Sequence, residues 1–181
     1  MQWGPISGGR SMKTKRQKEL IESFLVTLET ENQSLYREIA VYLSELGYNP
    51  KKERSYISFK HASHNKQIVK IGLRGKKEPT PFFALRFSGY TEYSQRFADV
   101  VKDNISKYPS RAPGCITQSC DYCAGEPDTH IYTYVFPDGE TAVHCGAYAL
   151  EVPDITDKDL DEIKKLIKEE HEYLVTHEIN A

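Results

Sequence analysis

No stretch of this 181-residue chain approaches 18 consecutive apolar residues, so no segment is predicted to cross a membrane as a helix. The N-terminus lacks the apolar core of a secretory signal. There is no glycine-rich phosphate loop, no G-x-S-x-G and no H-E-x-x-H, which removes the commonest nucleotide-binding, serine-hydrolase and zinc-protease motifs. Excess charge is also missing: a net −2 gives no global pull towards nucleic acid or acidic membranes. Internal repeats and low-complexity segments are absent, and tryptophan occurs once, as Trp3. What remains is 39% hydrophobic and 28% charged residues, the values of a globular protein, expected to be cytoplasmic.

Cysteine is scarce and confined. Cys115, Cys120, Cys123 and Cys145 follow the spacing C-x4-C-x2-C-x21-C. In a reducing compartment clustered thiols point to a metal site before disulfides. Four thiolates suit tetrahedral Zn²⁺ in a closed structural site, which cross-links a loop and leaves no position for water. The competing metal is a [2Fe–2S] cluster, because C-x4-C-x2-C with a distant fourth cysteine is also the plant-ferredoxin spacing. Against iron–sulfur, Ile116, Thr117, Gln118 and Ser119 stand where a ferredoxin loop places glycine and small residues. A metal-free thiol enzyme is the third reading, with Cys120 near His130 or His144 as a thiolate pair; it and a metal site exclude each other.

Apolar periodicity orders the rest. Residues 1–11 read as a disordered tail or as a stretch before the true start at Met12, since Gly8-Gly9-Arg10 can be encoded by a purine-rich run. Residues 12–48 read as a helical hairpin: Leu20, Ile21, Phe24, Leu25 and Leu28 on one helix, then Leu35, Ile39, Tyr42, Leu43 and Leu46 on a second, ended by Gly47. Residues 49–181 read as an α+β domain carrying the cysteine cluster. Period-two alternation predicts strands over 56–61, 67–74 and 82–87. Ser88 or Thr91 is expected to cap a third helix running through Ile105. Strands over 130–136 and 141–152 are expected to meet at a two-residue Asp138-Gly139 loop, which sets Cys145 opposite Tyr132. A helix capped by Thr156 and Asp159 closes the chain. The predicted order is α-α-β-β-β-α-loop-β-β-α, an antiparallel sheet of about five strands with helices on one face.

Beyond these patterns, residues 80–177 resemble a family of bacterial proteins with a C-terminal four-cysteine cluster and no assigned activity. The resemblance is carried by the 82–87 strand, the helix after it, the cysteine loop, the Asp138-Gly139 hairpin, Cys145-Gly146 and the entry to the last helix. It implies a discrete cysteine-bearing module and no substrate.

Charge is distributed unevenly. Residues 51–77 hold nine Lys or Arg against Glu53 alone, whereas residues 150–181 hold ten acidic groups against four lysines. Complementary faces within the protein or its dimer account for this; a nucleic-acid surface on residues 51–77 is the sharper alternative, without aromatics interleaved for base stacking. His61 and His64 read as exposed turn residues and His171 as a half-buried packing residue. The sequence therefore supports a non-catalytic binding or regulatory module with a structural zinc site, its partner a small molecule or a protein.

Overall fold

The computed structural model describes residues 14–87, 93–107, 131–136, 138–145 and 148–179. Thr14 caps helix α1 (Lys15–Leu25), accepting from the Gln17 amide while the Gln17 side chain accepts from the Thr14 amide. Helix α2 (Thr30–Glu45) starts five residues before the first residue of its apolar stripe, Leu35, and Gly47 (φ +90°) terminates it in the left-handed region as expected. Strands β1 (Tyr48–Lys52), β2 (Tyr56–His61), β3 (Gln67–Arg74) and β4 (Thr80–Leu85) follow. Next come helix α3 (Gln95–Lys107), strands β5 (Ile131–Val135), β6 (Thr141–Cys145) and β7 (Leu150–Val152), and a 3-10 turn (Asp157–Asp159) leading into helix α4 (Leu160–Ile179). The Thr156–Asp159 capping box is present.

Five strands make an open antiparallel sheet in the order β1-β2-β3-β4-β7. The α+β class and the strand number agree with the sequence reading; the membership does not. β1 is an addition, an edge strand bearing Pro50, which an edge tolerates because no ladder donor is needed there. The stretch read as one strand over 141–152 is two. Its first part pairs with β5 in a separate ribbon, and its last three residues pair with β4 through Phe83–Val152 and Leu85–Leu150. The ribbon's loop also departs from expectation. Phe136 N–H donates to Glu140 O at 2.9 Å, and Gly139 takes φ +84°, so the connection has three residues instead of two. Cys145 consequently faces Ile131, not Tyr132.

Alternation and register give each sheet face its chemistry. Phe59–Val69–Leu85–Leu150 and Ile57–Ile71–Phe83–Val152 form two apolar rows on one face. They share a core with Ile21 and Leu25 of α1, Leu35, Ile39 and Leu43 of α2, and Ile163, Leu166 and Ile167 of α4. Fully burying such side chains stabilises by ~1.5–3 kcal/mol each before conformational entropy is subtracted. α3 holds the ribbon: Lys102 contacts Asp138 at 2.6 Å and lies over the Phe136 ring at 4.7 Å. No helix among the described residues is long and apolar enough to cross a membrane.

Candidate functional site

The second sheet face carries Lys51, Lys60, Lys70 and Arg74 of the 51–77 segment, and register orders them. One row across the five strands reads Lys51–Ser58–Lys70–Ala84–Glu151. The adjacent row is Tyr56–Gly72–Phe82, and Arg74 opposite Thr80 lies beyond it. Gly72 is required at the centre of its row: a Cβ there would fall 2.6 Å from Cε1 of Phe82, whose ring therefore lies over the glycine.

Cations and rings alternate on this surface. Lys70 Nζ stands 5.0 Å above the Tyr56 ring, and the Arg74 guanidinium 4.5 Å from the Phe82 ring. Glu151 orients Arg74 through paired contacts of 2.6 and 2.5 Å. Glu53 accepts from the Ser58 hydroxyl at 2.9 Å and pairs with Lys60 at 3.5 Å. The hydrogen bond from Ser58 is the main cause holding the Glu53 carboxyl below its ordinary range, with Lys60 and Lys51 adding to it. A cavity of about 520 Å³, lined by Tyr56, Lys70, Arg74, Phe82, Ala84 and Glu151 among others, occupies this end of the face. Its volume is that of a small-molecule site.

From the sequence, no aromatics are interleaved with these basic residues for base stacking. Tyr56 and Phe82 are 26 positions apart and meet only through β3. The signal that could have located them is Gly72 inside an otherwise alternating strand, which marks a close approach.

A second cluster joins residues that the sequence reading kept apart. His61 and His64 stack with centroids 4.1 Å apart, and His171 of α4 lies 5.6 Å from His61. Tyr48, fully buried, meets all three rings, and its hydroxyl is hydrogen-bonded to His171 Nδ1 at 3.2 Å. His61 and His64 are thus part of a packed aromatic group instead of exposed turn residues. Burial is the largest cause lowering His64, to about 4, with His61, Lys66, His171 and Arg86 adding to it. His171 is lowered chiefly by burial as well.

This cluster is unsuited to a metal. His61 Nδ1 accepts from the Ser63 amide at 3.3 Å, and His64 Nδ1 accepts from the Lys66 amide at 3.2 Å. Both rings therefore carry their proton on Nε2, whereas a ligating imidazole donates from its non-ligating nitrogen. Among the described residues no group of three or more His, Cys, Asp or Glu is placed to hold a metal ion.

Of the predicted thiol ligands, Cys115, Cys120 and Cys123 lie outside the described residues, as do His130 and the cap positions Ser88 and Thr91. Cys145 ends β6 and is 1% exposed, although Thr133, Val135, Thr141 and Val143 on the same ribbon face are exposed. Ile131, its partner, follows Cys123 by eight positions. No family model, curated protein or solved structure matches the chain.

Proposed function

We propose that the chain is a non-catalytic binding module whose ligand is a small organic anion held on the open sheet face. The observation that carries this reading is the row Tyr56–Gly72–Phe82 with Lys70 and Arg74 on either side. The Tyr56 ring and the edge of the Phe82 ring, which covers Gly72, offer an apolar floor, and the two cations flank it. Glu151 neutralises part of the Arg74 charge and fixes its orientation.

Phenyl phosphate and benzoate are suitable probes. Titration followed by ¹H–¹⁵N NMR is expected to give saturable shifts at Tyr56, Lys70 and Arg74. Lys70→Glu is expected to weaken binding at least tenfold, and Gly72→Ala, by displacing the Phe82 ring, to weaken it by a similar factor. Gly72→Ala also overpacks the face and is expected to cost about 1–3 kcal/mol of stability in urea denaturation. Absence of saturable binding would sink the reading. Retention on single-stranded oligonucleotides at about 150 mM salt, with no small-anion binding, would replace it with a nucleic-acid surface.

The same proposal includes a structural zinc held by Cys115, Cys120, Cys123 and Cys145. Its support is the burial of Cys145 at the open end of the ribbon, near the chain position of the other three thiols. A closed thiolate site there ties residues 114–130 to the ribbon and contributes apparent binding energy on the order of 10 kcal/mol. Metal analysis of protein purified without chelator is expected to give one zinc per chain and no visible colour. A brown protein that bleaches on reduction would assign a [2Fe–2S] cluster instead, and four freely titrating thiols in a colourless protein would remove the metal altogether.

A further inference from the structure

The space beneath α1 adjoins the open sheet face, the two meeting at Ser55, Tyr56 and Leu73, and has its own chemistry. A cavity of about 220 Å³ lies between α1 and the ends of β2 and β3, with Leu20, Phe24, Ile57 and Leu73 in its wall. Two of the hydroxyls around it, those of Ser23 and Thr27, are already used. Ser23 Oγ donates to Glu19 O and Thr27 Oγ1 donates to Phe24 O, each at 2.6 Å, so neither needs a water in the cavity as acceptor. A largely apolar pocket of this kind favours an apolar guest.

One end of the cavity is charged. Lys52 lines it and also lines a larger cleft of about 690 Å³ beside the start of α1, the two sharing Leu20 and Ser23 as well. Arg16 and Lys51 belong to that cleft, against the single carboxylate of Glu19, which pairs with Lys15 at 3.7 Å. Neither Arg16 nor Lys52 has an ion-pair partner among the described residues. The first turn of α1 holds no acidic residue, so the positive end of the helix dipole adds to these cations without compensation.

We infer that this is a site for a second ligand class, a medium-chain fatty carboxylate. The acyl tail fills the cavity under α1 and the carboxylate meets Lys52 and Arg16 in the cleft. A volume of 220 Å³ equals about seven groups of water's size at ~30 Å³ each, which sets the tail near that of octanoate or decanoate. The charge sign selects an acid over an alcohol or an amine, and the apolar side chains of Leu20, Phe24, Ile57 and Leu73 select a saturated chain over a polar one.

The test uses the full chain with sodium hexanoate, octanoate and decanoate below their micellar concentrations, followed by NMR. Saturable shifts are expected at Leu20, Phe24, Ile57 and Leu73, with affinity rising about fourfold per added methylene until the cavity is full. Lys52→Glu is expected to weaken octanoate at least tenfold. Leu20→Trp, or the milder Ser23→Leu, is expected to abolish binding by occupying the cavity; a two-state unfolding curve verifies that either variant is folded. Saturating benzoate should leave octanoate binding unchanged, which separates this site from the sheet face. Three results would overturn the inference: no saturable binding, 1-octanol binding as tightly as octanoate, or an affinity indifferent to Lys52→Glu.

Discussion

Glu170→Ala is expected to lower the free energy of unfolding by about 3–5 kcal/mol. Glu170 of α4 is 1% exposed and pairs with Arg86, just beyond β4, at 3.0 Å. The Arg86 side chain is itself 9% exposed, so alanine would leave a guanidinium buried against the core without its carboxylate. The loss measures mainly that uncompensated charge. The intact pair adds little by itself, because both ions surrender hydration on burial. The double variant Arg86→Met/Glu170→Leu is therefore expected to recover most of the lost stability. Urea denaturation of the single and double variants decides the matter: a loss under 1 kcal/mol for Glu170→Ala would show the pair to be solvated.

Acidification is expected to destabilise the protein between pH 6.5 and about 4 through the histidine cluster. His64 is lowered from 6.5 to about 4 and His171 is lowered too, so the unfolded chain binds protons that the folded chain refuses. The stability these groups contribute is fully present above the unfolded value of 6.5. It is lost progressively as pH falls towards the folded values, and then levels off. His64 is only half-buried, and after allowance for solvent screening the loss is on the order of 1–2 kcal/mol. The groups facing the rings are Tyr48 from β1, Lys66 from the turn, Arg86 beyond β4 and Glu172 from α4; Glu172 alone opposes the shift, at His171. Urea midpoints measured at intervals from pH 7.5 to 4 test this. His64→Phe should flatten the curve, and a wild-type midpoint constant over that range would contradict the assignment. Arg86→Met/Glu170→Leu removes one of the charges depressing His64, so its acid limb should level off at higher pH with a smaller total loss.

These two features differ in how much of them could be read from the chain. Strands β2 and β3 occupy the residues that alternation assigns, and Gly47 ends α2 where its placement after the apolar stripe predicts. Such signals are local and need no partner. β1 escaped notice because five residues containing Pro50 and two lysines show neither alternation nor β-propensity; pairing with β2 overrides both. The 141–152 segment reads as one strand because its apolar content is continuous. Its division follows from β4, which recruits Leu150 and Val152 to fill the core rows. The sheet-face site depends on which residues of three strands share a row, and a one-residue slip would dissolve it. The histidine cluster lies still further from sequence, since His171 reaches His61 across 110 positions.

The edge strand has a consequence for how copies of the protein behave together. β1 pairs on one side with β2 and, among the described strands, with nothing on the other. A bare edge is a template on which a second chain can polymerise. Pro50 withholds a donor from any such partner, and Lys51 and Lys52 put like charges on two edges brought side by side. At the opposite edge β7 is three residues long, too short to seed a ladder. The sheet is thus self-limiting at both borders. Lys52, the residue assigned to greet a fatty acid, also serves to keep neighbouring molecules apart, so a bound anion that neutralises it removes part of that protection.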